Sequence, residues 1–180
     1  MEILSFGQPL GAIMQVAYVV DDMDAALDKW TRTLGVGPFF LFKNFQLLDA
    51  RYHGEPTDLD IDLALAFSGS MCFELIVQNN NAPSVYRDVV AQRGYGFHHW
   101  AVSTRTFDDD VARHKTAGAP LAFSGVAGVG GRAAYMDTTA MLGGMIELIE
   151  MNDKVEQFFG MLYGAAQDWD GIDPVRTLGG

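Results

Sequence analysis

The strongest constraint on this sequence is an internal repeat. Met14-Gln15-Val16-Ala17-Tyr18-Val19-Val20 is followed by the phrase Asp21-Asp22-Met23-Asp24-Ala25-Ala26, and Gly96-Phe97-His98-His99-Trp100-Ala101-Val102 is followed by Thr106-Phe107-Asp108-Asp109. Each half then closes on an apolar run broken by one acid, Cys72-Phe73-Glu74-Leu75-Ile76 and Met145-Ile146-Glu147-Leu148-Ile149. A chain that repeats a pattern of this kind builds one supersecondary unit twice. Aligning the halves sets Gln15 against His99.

Alternation predicts a strand over 12–20, with Gln15, Ala17 and Val19 on one face and Val16, Tyr18 and Val20 on the other. Met23, Ala26, Leu27 and Trp30 at helical spacing predict a helix from Met23 to Thr33, capped by Asp21 or Asp22 and stopped at Gly35. An aromatic strand Phe39–Phe45, a polar loop Arg51–Asp60 and strands Ile61–Phe67 and Met71–Gln78 complete a β-α-β-β-β unit. The second half reads as strand Phe97–Ser103, helix Phe107–Thr116, a short strand Leu121–Ser124, and strands Arg132–Asp137 and Met145–Glu150.

The expected fold class is therefore α+β, with two βαβββ modules paired so that their curved sheets enclose a cleft. An arm over 1–11 precedes the first module (12–78). A linker with a helix over Ser84–Arg93 (79–95) leads to the second module (96–151), and a C-terminal helix and tail (152–180) follow. In that tail Val155, Phe158, Phe159, Leu162 and Tyr163 form an apolar stripe. It needs a partner surface, on its own domain or on a second subunit, and a homodimer is expected.

Composition narrows the partners. A net charge of −11 argues against nucleic acid and anionic membrane, both of which need clustered Lys and Arg. The single cysteine, Cys72, excludes an internal disulfide and fits a reducing cytoplasm. The uncharged stretch 3–20 is interrupted by Gly7, Pro9, Gly11 and Gln15, so it reads as an arm and a buried strand, not a targeting or membrane segment.

Glu74 and Glu147 sit in mid-strand among apolar residues, where an unpaired carboxylate is costly if buried. Either acid alone could face solvent from the outer side of a half-exposed sheet, but the matching context argues for the pair facing inward. Neither strand carries a Lys or Arg as counter-charge. A divalent ion held by Glu74, Glu147, an imidazole nitrogen of His99 and the amide oxygen of Gln15 fits the charge and the donor types.

Strand alternation places Glu150 opposite to Glu147, and His98 opposite to His99, so one of each pair enters the cleft. His53 and His114 read as solvated or rim residues. If half of the aromatic strand faces inward, Phe40 and Phe42 become candidate contacts for an apolar or aromatic small-molecule substrate. The glycine-rich Gly125–Gly131 lacks the strand–helix setting of a phosphate loop and reads as a mobile rim or lid.

The double unit, the Asp-Asp-Met-Asp-Ala-Ala phrase, Gly-Val-Gly-Pro-Phe-Phe, His-His-Trp-Ala-Val and Ile-Glu-Leu-Ile-Glu together resemble the vicinal oxygen chelate superfamily over roughly residues 12–151. That group includes glyoxalase I, methylmalonyl-CoA epimerase, extradiol dioxygenases and bleomycin-resistance proteins. Its ligands come from the first and last strand of each module, which matches Gln15, Glu74, His99 and Glu147. The order Gln, Glu, His, Glu is similar to the animal glyoxalase I branch. The epimerase branch typically has His first and Gln second, and this chain departs from it at both places. Gln15 also replaces the first His of the extradiol dioxygenases, which puts oxygen activation in doubt.

The resemblance implies a metal-dependent isomerase, epimerase or lyase of the lactoylglutathione lyase type, using zinc, nickel, cobalt or magnesium before iron. In that reading Glu147 takes a proton beside a carbonyl, and Glu74 returns it from the other face through an enolate or enediolate. The alternatives are a binding protein that sequesters a small molecule without chemistry, and an extradiol-type dioxygenase.

Overall fold

The repeated pattern folds along a repeated path, described for residues 1–178 of a computed structural model. The first half supplies β1 (Ile13–Val19), α1 (Met23–Leu34), β2 (Phe39–Phe45), β3 (Leu48–Tyr52), β4 (Glu55–Pro56), β5 (Ile61–Ser68) and β6 (Met71–Gln78). After α2 (Val85–Arg93), the second half supplies β7 (Gly96–Thr104), α3 (Phe107–Thr116), β8 (Leu121–Val126), β9 (Arg132–Met136), α4 (Thr139–Leu142) and β10 (Met145–Glu150). The chain continues through α5 (Asp153–Gln167) and β11 (Val175–Thr177). Residues 179 and 180, the end of the expected tail, lie outside the described residues.

Local chemistry explains the helix limits. The Asp22 side chain accepts from Ala25 N at 2.9 Å to start α1, and Gly35 at φ 64 ends it in the left-handed conformation that glycine adopts without strain. Met23, Ala26 and Leu27 then bury against Phe39, Leu41 and Leu75 on the outer face of the first module. Phe107 of α3 does the same against Ala134, Met136 and Leu148 of the second.

All strands join one curved sheet in the order β11-β2-β5-β6-β1-β7-β10-β9-β8-β3-β4. The modules meet where β1 and β7 pair antiparallel, and within each module the first strand runs parallel to the last. The architecture is thus α+β, with paired βαβββ modules and a C-terminal helix.

Two segments depart from the sequence expectation. The stretch expected to be a loop contains the end of β3 and all of β4, and β3 leaves its own half to pair with β8, Tyr52 opposite Phe123. Gly54 and Pro56 break the alternation there, and the partner strand lies in the other module, so no local pattern announces it. Only Gln46 and Leu47 separate β2 from β3, yet these strands lie near opposite ends of the sheet order. Three Cα steps span at most about 11 Å. The sheet must therefore curl into a cup.

The tail holds the second departure, a strand after its expected helix. Its apolar stripe finds its partner within the chain: Val155, Phe159 and Leu162 are buried, and Phe159 stacks near Phe6 and Phe67. Beyond α5, β11 adds in parallel to β2, with Val175 opposite Phe39. Among the described residues no helix is long and apolar enough to cross a membrane.

Candidate metal centre and cleft

Strand register decides which side chains reach the floor of the cup. Gln15 of β1 stands opposite Cys72 of β6, and Ala17 opposite Glu74. His99 of β7 stands opposite Met145 of β10, and Ala101 opposite Glu147. In each module the acid lies one inward position beyond the polar residue of the first strand. Across the junction Ala17 meets His99 and Gln15 meets Ala101. Two adjacent rows result, and the period of two turns all their side chains to one face. Ala17 and Ala101 carry only methyl groups at the centre, so the longer side chains converge above them.

The four polar residues are deeply buried: Gln15 is 2 % exposed, Glu74 7 %, His99 0 % and Glu147 7 %. Gln15 Nε2 donates to Glu74 Oε2 at 3.0 Å, which commits the amide nitrogen and leaves the oxygen as the atom available to a ligand. His99 Nε2 lies 3.1 Å from Glu147 Oε2 and 3.4 Å from Glu74 Oε2. Those distances bring charges together, but the directions do not make hydrogen bonds. His99 Nε2 is the buried side-chain polar atom left without a partner among the described residues.

The donor atoms of Glu74, His99 and Glu147 lie within 4.8 Å of one another. Two carboxylates, one imidazole nitrogen without a partner and one amide oxygen fit a divalent cation in charge and in donor type. Burial raises the Glu74 carboxyl above the usual carboxylate range; His99 opposes that rise and Glu147 adds to it. Burial also disfavours a charged His99, yet Glu147 and then Glu74 outweigh it and push the imidazole up to about 9. Cys72, on the same face of the floor and opposite Gln15, is held as a neutral thiol by burial and then by both acids, so it does not offer a thiolate.

Alternation alone misplaces His98. Ala17 pairs with His99 and Tyr18 with Phe97, so His98 is the extra residue of a β-bulge. The bulge brings its ring to the His99 side, with the two Nδ1 atoms 2.9 Å apart and His98 Nε2 3.2 Å from Val85 O. Glu150 does point away, as its spacing from Glu147 predicts, and binds Arg132 with an Oε1–Nη2 distance of 2.7 Å. Arg132 also binds Asp108 at 2.8 Å, so both its pairings draw it from the floor. His53 is exposed in a turn and His114 bonds Asp110 O at 2.8 Å; neither joins the cluster.

Above the floor lies a cavity of about 400 Å³ with mainly apolar walls, among them Phe42, Phe45, Leu63, Ile149, Val155 and Phe158. Phe42 lines it. Phe40 lies on the same face of β2 but is buried under Arg176 of β11, outside the lining. Asn44 takes φ 50 between Phe42 and Phe45 and shifts the register with β5, which turns Phe45 back inward. The glycine-rich segment and α5 form the roof, and a Cβ on Gly131 would come within 2.6 Å of Val155 Cγ2.

Two further lining residues escaped the sequence reading. Tyr86 of α2 and Tyr135 of β9 hold their hydroxyls 2.9 Å apart beside the acids. Burial, and after it the negative charge of Glu74 and Glu147, raises both phenols well above their ordinary value, which keeps them neutral donors. Tyr135 stands directly opposite Glu147 across β9 and β10, a register that could have revealed it. Tyr86 sits in a helix read as linker.

This architecture has counterparts. The family profile described as the glyoxalase/bleomycin resistance protein/dioxygenase superfamily matches residues 14–135. No curated protein matches the chain. Methylmalonyl-CoA epimerase from Mycobacterium tuberculosis superposes with a TM-score of 0.58 at 20% identity, covering 82% of this chain and 93% of its own. A Streptomyces coelicolor methylmalonyl-CoA epimerase variant in complex with 2-nitronate-propionyl-CoA gives 0.56 at 20% identity, covering 81% and 97%. A hypothetical protein from Bacillus halodurans gives 0.57 at 17% identity, covering 79% and 95%. At these identities the neighbours share the fold. The family match spans more than half of the chain, and the chain belongs to the glyoxalase/bleomycin resistance protein/dioxygenase superfamily.

Proposed function

We propose that this protein is a divalent-metal-dependent isomerase or epimerase that moves a proton on the carbon beside a carbonyl of a small apolar molecule. The observation that carries the reading is the partnerless Nε2 of His99, buried against two carboxylates that line the floor of an apolar cleft. Gln15, Glu74, His99 and Glu147 would hold the ion. When bound, it supplies Lewis-acid polarisation of the substrate's oxygens.

The protein's own groups do the rest. Glu147 takes the proton from one face and Glu74, across the floor, returns it from the other. The Tyr86–Tyr135 pair supports this division, since its mutual bond uses one hydroxyl hydrogen and leaves the second for a substrate oxygen. The apolar walls favour an aromatic or alicyclic body and exclude water. A glutathione adduct or a coenzyme A ester needs several cationic anchors, and of the two cations on the lining Arg132 is already paired with Glu150 and Asp108, which leaves Lys43 alone. Hence the lactoylglutathione lyase version is not favoured. All four ligands come from one chain, so a homodimer is not required. A cytoplasmic setting goes with the lone buried thiol of Cys72.

The test is elemental analysis of protein purified without chelator, for wild type, His99→Ala and Glu147→Ala, with racemisation of enantiopure benzoin as the activity probe. About one divalent ion per chain, lost in both variants, together with metal-dependent racemisation, is the expected result. A wild type that takes up no metal on reconstitution defeats the catalytic reading and leaves a sequestering protein. Bound iron would return oxygenation to consideration.

A further inference from the structure

The bulge at His98 sets two imidazole rings side by side, and only one of them faces the carboxylates. His98 Nε2 lies 3.2 Å from Val85 O, a carbonyl that only accepts, so Nε2 carries a hydrogen and donates it. Among the described residues no carboxylate pairs with His98, and the ring is fully buried. A charged ring buried without a carboxylate partner is costly, so the ring is neutral.

A neutral imidazole with hydrogen on Nε2 has a lone pair on Nδ1. That lone pair faces His99 Nδ1 at 2.9 Å, so the hydrogen between the rings belongs to His99. His99, once its own ring is neutral, then has its lone pair on Nε2. This is the partnerless atom between Glu147 and Glu74. Aromatic neighbours hold both planes: Tyr86 lies 4.9 Å from the His98 ring centroid and Tyr135 5.0 Å from that of His99.

We propose that His98 is a positioning residue for the metal centre, relaying the Val85 carbonyl to His99 so that His99 keeps its hydrogen on Nδ1 and turns its Nε2 lone pair to the cation. The proposal rests on the metal reading above. It gives α2 a part in the site, because the carbonyl that sets the relay belongs to that helix. Outer partners of this kind typically contribute 10–100-fold to metal affinity.

The experiment pairs two readouts, nitrogen–proton correlation spectra of histidine-labelled protein and zinc titration against a chromophoric chelator. In wild type, His98 is expected as the Nε2–H form and His99 as a ring protonated at Nδ1, with only the His99 Nε2 resonance moving on zinc addition. His98→Phe, which keeps the ring volume, should lose the fixed His99 form and weaken zinc binding about 10–100-fold. His98→Gln, with an amide oxygen to accept from His99 and an amide N–H for Val85, should restore most of it.

Circular dichroism of each variant establishes that the fold is retained. Zinc binding by His98→Phe as tight as wild type overturns the relay, and so does a wild-type His98 protonated at Nδ1. If wild type binds no zinc, the metal reading fails, and the His99 tautomer in wild type and His98→Phe decides the relay by itself.

Discussion

In the first module the floor acid is already engaged, with Glu74 accepting from Gln15 Nε2 at 3.0 Å; in the second, Glu147 has His99 Nε2 at 3.1 Å with no aligned hydrogen bond. The backbone registers that place the two acids are the same. The two halves thus share a geometry and differ in their chemistry. One half offers an amide and a restrained carboxylate. The other offers an imidazole in contact with His98 and a carboxylate with no aligned hydrogen bond. In the proposed reaction such a frame would put one acid on each side of a carbon acid, and the unequal restraint would give each different work.

The largest effect should come from breaking that inequality. Glu147→Gln is expected to slow deuterium uptake at the α-carbon of benzoin by about 10²–10⁴-fold, the usual contribution of a general base. Glu74→Gln should block racemisation but leave exchange of one enantiomer's α-proton in deuterium oxide. Equal losses of exchange for both enantiomers in both variants would show the modules to be chemically interchangeable.

A second test bears on the shared geometry. Ala17→Leu and Ala101→Leu occupy equivalent places at the centre of the two rows, both fully buried. Each should cost about 1–3 kcal/mol in urea unfolding through overpacking, and each should expel zinc. Zinc retained by either variant would mean that the centre does not lie over both modules.

The smallest effect concerns pH. In metal-free protein Glu74 is raised, and His99 is raised from 6.5 to about 9, so the folded state binds protons more tightly than the unfolded chain. The His99 contribution is complete below 6.5 and is lost as pH rises through about 9. Zinc replaces the proton, so the rise in Tm that it produces should grow across that window. A zinc effect that shrinks with rising pH would contradict the charge pattern of the floor.

Period-two alternation and the repeat made Gln15, Glu74, His99 and Glu147 legible as a set, because registers within each module run regularly enough to keep side chains in phase. Irregular ladders hid the rest. The bulge at His98 reverses the face that counting assigns, and Asn44 in the left-handed region does the same for Phe45. Phe40 and Phe42 share a face in any count, yet β11 covers one of them, and that strand arrives from the far end of the chain. Tyr86 could not be placed because a helix between repeats reads as a connection until its neighbours are known. The apolar stripe of α5 asked for a partner without naming it.

The short step from β2 to β3 has a consequence for assembly. Because a strand from the first half completes the edge of β8, the second half ends in an unpaired strand if it is made alone, and such an edge invites association with another chain. Pairing Leu48 with Val126 also joins segments far apart in sequence, the kind of contact that forms late and ties distant regions into one transition. The duplicated halves are therefore not separable units. Each finishes the other, and loss of structure in one should spread to both.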